Sequence, residues 1–208
     1  MKRVTAIGEG KRRKKRVNIF LDGRFAFSLE AEVAVKENLQ VGQELSEGDI
    51  EALAGAELSQ RCSDAALHYL GYRPRSESEL RERLKRRGFD GDNVETVLAR
   101  LKEQGLVDDL AFAQFWKDNR QSFSPRSQWL TRHELKRKGV AEEVIDQVVA
   151  DIDDEDSAYQ AAMSKARSLS IADYQGFRHR LGEYLKRRGF GYGVINNTLK
   201  RVWGEVKE

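Results

Sequence analysis

The chain has 208 residues, 39% of them apolar and 34% charged, which gives a modest core under a heavily charged surface. No apolar run approaches the ~20 residues of a membrane-spanning helix, and the opening MKRVTAIGEG has no apolar block behind its cations, so neither membrane nor export is indicated and a cytoplasmic location is expected. A formal net charge of +3 leaves recruitment of any anionic partner to local clusters, and the single cysteine, Cys62, excludes an intramolecular disulfide or a cysteine-rich zinc site.

The first sixty residues alternate as strands do. RVTAIGEG reads as one strand. In RVNIFLDGRFAFSL, Val17, Ile19 and Leu21 share a face, Asp22-Gly23 suits the positive φ values of a two-residue hairpin turn, and Phe25, Phe27 and Leu29 resume beyond it. AEVAVKEN and SEGDIEALAGA then read as short helices, the second capped by Ser46. Residues 1–58 are thus expected to form a small β-containing domain. Charge is uneven here: residues 1–29 hold nine Lys/Arg against two acids, and residues 30–62 hold two against eight.

From about residue 60 the apolar period becomes helical, and a basic hexapeptide recurs. LKRRGF stands at 84–89, LKRKGV at 135–140 and LKRRGF at 185–190, their glycines 51 and then 50 residues apart. A fixed period of this length signals stacked units, each too small to bury much alone. Gly88, Gly139 and Gly189 suit the left-handed residue that ends a helix, and the cations before them face the negative end of the helix dipole. Counted from each glycine, positions +9, +10 and +13 are Val97, Leu98 and Leu101, then Val148, Val149 and Ile152, then Thr198, Leu199 and Val202. That is the one-sided stripe of a packed third helix. Ahead of the glycines, Leu80 and Leu84, Leu130 and Leu135, and Leu181 and Leu185 form the core face of the second helices. Thr131 stands where leucine is expected, so the middle unit reads as slipped by one residue. The expected fold is mainly α. Three tandem three-helix repeats, at 59–107, 108–153 and 154–208, form an elongated stack behind the N-terminal domain.

No catalytic constellation emerges. His68, His133 and His179 are isolated, and Asp153, Asp154, Glu155 and Asp156 lack the alternating ligands and glycine of a calcium loop. Those acids read as a solvated linker with helix N-terminal charge. Phosphate-binding glycine loops are absent, so neither enzyme activity nor a cofactor is expected. The basic clusters remain. Lys11, Arg12, Arg13, Lys14, Lys15 and Arg16 form either a solvated loop or an arm for an anionic polymer. The triplets Lys85-Arg86-Arg87, Lys136-Arg137-Lys138 and Lys186-Arg187-Arg188 exceed the one or two cations that capping uses, which points to a binding role.

At GLVDDLAFAQFWKDNR, residues 105–120, the sequence resembles the RecX family, bacterial modulators of the recombinase RecA. Gly105, Leu106, Val107, Asp108, Asp109, Phe112, Ala113 and Arg120 match that family's hallmark. GYRPRSESELRERLKRRGF resembles its first repeat, and the N-terminal segment resembles the β-containing extension of its longer members. Trp116 and Trp129 are larger than the family pattern leads one to expect. The resemblance implies a regulator that binds the RecA–single-stranded-DNA filament and mostly suppresses strand exchange, ATP hydrolysis and coprotease activity during recombinational repair. The basic triplets, Arg120 and the 11–16 run are the expected contacts to RecA or to single-stranded DNA, and three linked units suit a monomer. The alternatives are an autonomous helix-turn-helix-like DNA-binding protein, for which no helix shows an outer row of base-reading residues, and a helical adaptor that uses no nucleic acid.

Overall fold

The structure, a computed structural model, describes residues 1–9, 15–169 and 173–207. These form two compact units: residues 1–73 with 80–104, and residues 74–79 with 105–208.

In the first unit, strands β1 (Lys2–Glu9), β2 (Arg16–Leu21), β3 (Arg24–Glu30) and β4 (Glu44–Leu45) make an antiparallel sheet in the order β3-β2-β1-β4. The hairpin turn falls at Asp22-Gly23, with φ of 49° and 77° as its two-residue geometry requires. Helix α1 (Ala31–Lys36) follows β3, and its Val33 and Ala34 join Val4, Ile19, Leu29 and Leu45 in the sheet's core. Ser46 caps α2 (Glu47–Leu70) through a reciprocal capping box with Asp49.

Helix α2 differs from the short helix expected. It runs unbroken for 24 residues, so the expected boundary at 58 lies inside it. One helix serves two cores: Leu53 packs with the sheet, while Cys62, Ala65 and Ala66 are buried further along, in the part that meets α4 (Gly91–Glu103). Burial pushes the Cys62 thiol up to about 11, with Asp90 adding to the effect and Arg100 opposing it. The neutral thiol is thus a core side chain.

Helices α3 (Glu77–Arg86) and α4 complete the first repeat. The second is α5 (Asp109–Phe123), α6 (Gln128–Arg137) and α7 (Glu142–Val149); the third is α8 (Asp154–Ala166), α9 (Tyr174–Lys186) and α10 (Tyr192–Lys207). The second helix of each repeat ends as the hexapeptide predicts. Gly88, Gly139 and Gly189 have φ of 93°, 74° and 84°. The next residue's N–H reaches back to the leucine carbonyl that opens the hexapeptide, at 3.3 to 3.4 Å (Phe89 to Leu84, Val140 to Leu135, Phe190 to Leu185). This is the Schellman closure, made three times.

The expected slip in the middle repeat does not occur. Thr131 itself takes the buried leucine position, eight residues before Gly139, as Leu80 and Leu181 do before Gly88 and Gly189. Helix register is fixed by the glycine cap, so threonine is buried in place. Its hydroxyl finds no hydrogen-bond partner, and the same is true of Thr198 in α10. A buried hydroxyl without a partner costs about 1–3 kcal/mol. Thr131→Val and Thr198→Val, nearly isosteric changes, are therefore expected to stabilise the protein by about 1 kcal/mol each. Chemical denaturation checks this; a loss of stability in either variant would show that the hydroxyl is satisfied.

Candidate functional site

Two sequence pairs, Asp108-Asp109 with Asp153-Asp154 and Pro74-Arg75-Ser76 with Pro125-Arg126-Ser127, build one joint twice within the second unit. The first aspartate caps its own helix. Asp108 accepts the N–H groups of Leu110 and Ala111 at 2.8 and 3.0 Å, and Asp153 those of Glu155 and Asp156 at 2.8 and 3.2 Å. The second caps the second helix of the preceding repeat: Asp109 accepts Glu77 N–H at 2.8 Å and Asp154 accepts Gln128 N–H at 2.7 Å. Burial, with Asp153 and Glu155 beside it, raises the Asp154 carboxyl above its usual range, against the pull of the Gln128 N–H. Carboxylates at helix N-termini satisfy orphan donors and oppose the dipole, so Asp154 is held at a structural post. The acidic run read as a solvated linker is half of this joint.

The glycine turns complete it. Ser76 donates its hydroxyl to the Lys138 carbonyl at 2.5 Å, and the Ser127 N–H donates to the Arg188 carbonyl at 3.1 Å. Both serines are fully buried. The turns of the second and third repeats therefore seat on Pro-Arg-Ser helix starts. Gly88, in the first repeat, has open space around it.

This sorts the candidate cations. Lys138 lies 5.0 Å from the Trp116 ring and 3.5 Å from Glu79. Arg188 donates to Ser124 Oγ at 2.8 Å and Pro125 O at 3.0 Å, stacked 4.4 Å from the Tyr184 ring. Arg120 stacks on the Trp116 ring as well, at 4.4 Å, and donates to Glu134 at 2.8 Å. Glu134 also accepts Trp116 Nε1–H at 2.7 Å and pairs with Arg126. Trp116 is thus a cation platform, which explains its size. Trp129, 61% exposed, stacks on His133 and borders the Gly189 turn. Arg16 is equally occupied, bridging Glu30 at 3.1 Å and Glu57 at 2.7 Å and donating to Ser28 O at 2.8 Å. Lys15 is exposed, and Lys11, Arg12, Arg13 and Lys14 lie outside the described residues.

The leading cations face solvent. Lys85, Arg86, Arg87, Lys136, Arg137, Lys186 and Arg187 are all exposed. Arg86 meets Glu82 at 2.6 Å, Lys136 meets Glu142 at 3.3 Å and Lys186 meets Glu183 at 4.0 Å. Surface pairs of this kind contribute about 0–1 kcal/mol, so a phosphate or carboxylate can displace them. The structure places these cations at equivalent positions on repeated helix ends. The aspartate pairs at 108–109 and 153–154 and the Pro-Arg-Ser segments at 74–76 and 125–127 carry no local sign that they meet. Their signal was legible as internal repeats at 45 and 51 residues.

An N-terminal antiparallel sheet followed by three-helix repeats, each with a basic end to its second helix, defines a helical-repeat protein. Models described as the regulatory protein RecX N-terminal domain and as the first and second three-helix domains of RecX match residues 2–46, 62–101 and 108–149. The regulatory protein RecX of Clostridium beijerinckii is 30% identical over 208 residues, covering 97% of this chain and 96% of that protein. That of Bacillus licheniformis is 31% identical over 205 residues, covering 96% of this chain and 77% of that protein. A crystal structure of regulatory protein RecX matches with a TM-score of 0.71 at 27% identity, across 94% of this chain and 98% of that one. The chain belongs to the RecX family of regulatory proteins. No helix among the described residues is long and apolar enough to cross a membrane.

Proposed function

We propose that the protein binds the RecA–single-stranded-DNA filament and restrains RecA, lowering its ATP hydrolysis, strand exchange and coprotease activity. The observation that carries this reading is the exposure of the leading two cations at the same place in all three repeats, Lys85-Arg86, Lys136-Arg137 and Lys186-Arg187. Repeated contacts suit a partner that is itself periodic. Each can be weak, since one contact raises the effective concentration of the next. The small net charge of +3 fits a partner that is part protein, where uniform basicity would favour bare DNA. In this account the protein acts as a monomer, its three repeats serving as linked contacts. The test is RecA ATPase on single-stranded DNA with this protein titrated in. Hydrolysis is expected to fall with dose at low salt and to recover as salt rises. Hydrolysis unchanged at a large molar excess would remove the reading.

A further inference from the structure

The third repeat differs from the other two in the crease between its second and third helices. Seven residues before and seven after the capping glycine, the first repeat has Arg81 and Glu95, joined by two hydrogen bonds at 2.7 and 2.9 Å. The second has Arg132 and Asp146, which form an ion pair, and Arg132 also holds Glu142 at 2.8 Å. In the third repeat the same positions are Gly182 and Asn196. Both ends of the bridge are gone, and a groove of about 590 Å³ stands between α9 and α10, a size typical of ligand sites.

We infer that this groove takes an unstacked base of a single-stranded nucleic acid, with its phosphate on the flanking cations. Phe190, Ile195 and Leu199 give it an apolar floor. Tyr192, 75% exposed at the groove's edge, offers a ring on which a base can stack. Asn196 brings to the wall an amide that both donates and accepts, the pattern of a base edge. Arg178 and Lys186 on the rim outnumber Glu183, which Lys186 approaches at 4.0 Å. An aromatic face, an amide and a cationic rim around an apolar slot is how proteins hold splayed bases. A duplex, whose bases are stacked and paired, would not enter. The inference rests on nucleic acid forming part of the partner proposed above.

The bridge of the sibling repeats supplies the test. A Cβ at Gly182 would meet only Leu199 Cδ1 at 3.7 Å, an ordinary contact, so Gly182→Arg with Asn196→Glu can rebuild the closed crease. Fluorescence anisotropy is measured on the full chain, without RecA, using labelled oligothymidylate and an abasic oligomer of equal length. Wild type is expected to prefer the oligothymidylate by about tenfold, the value of one stacked base. The closed-groove variant should lose that preference while keeping its helical circular dichroism. Tyr192→Ala, a change at an exposed side chain, should lose it too, and guards against misfolding of the double variant. An oligomer carrying 5-iodouracil should photocrosslink to Tyr192 or a neighbouring groove residue. Equal affinity of wild type for the two oligomers, or a preference untouched by either variant, overturns the inference. Inhibition of RecA that persists in those variants leaves the proposed function standing. Loss of RecA binding with the base preference intact would assign the groove to a protein side chain, and would equally overturn it.

Discussion

Gly139→Ala and Gly189→Ala should each destabilise the protein by about 2–5 kcal/mol, whereas Gly88→Ala should cost about 1–2 kcal/mol. All three residues have left-handed backbones, so each variant carries the penalty of placing a Cβ there. Only two of them lie inside a joint. A Cβ at position 139 would stand 2.3 Å from Ser78 Cβ, and one at 189 would stand 2.6 Å from Ser127 Oγ and 2.7 Å from Leu130 Cβ. Those atoms belong to helix starts held by Asp109 and Asp154, so they cannot yield without breaking a cap. At position 88 nothing lies within 4 Å. Urea denaturation of the three variants decides the matter. Equal losses at all three positions would mean that the glycines serve helix termination alone.

That ranking could not be read from sequence, where the three glycines look alike. The hairpin at Asp22-Gly23, the three helix ends and the third-helix stripes were legible because each follows from a local rule: positive φ at a two-residue turn, a left-handed cap, and the 3.6-residue period. The joint was not, because it needs residues 26 to 64 apart to meet, as Asp154 meets Gln128 and Arg188 meets Ser124. Thr131 misled for a related reason. Composition argued for a shift of register, while the cap at Gly139 held the helix in place and buried the threonine. The continuity of α2 was hidden too. Its two halves bury different faces against different neighbours, so no single stripe runs its length. Among the site residues, charge alone could not separate Lys138, Arg188, Arg120 and Arg16, committed to internal partners, from the exposed cations beside them.

This separation sharpens the functional prediction. Arg86→Gln, Arg137→Gln and Arg187→Gln, combined, remove one exposed cation from each repeat and keep helix propensity nearly constant. The fold should survive with little change, since among the described residues the one ion pair recorded for these three is the surface contact of Arg86 with Glu82. Arg188→Gln is the structural control. It forfeits hydrogen bonds to Ser124 and Pro125 and the stack on Tyr184, so it should lower stability instead. If the three exposed arginines meet phosphates, each contact releases condensed counterions and contributes roughly 0.7 to the salt slope for a single strand. The most direct measurement is the affinity of wild type and the triple variant for the RecA–single-stranded-DNA filament across a salt series. The account predicts weaker binding by the triple variant and a slope shallower by roughly 2; unchanged affinity and slope at matched helicity would contradict it.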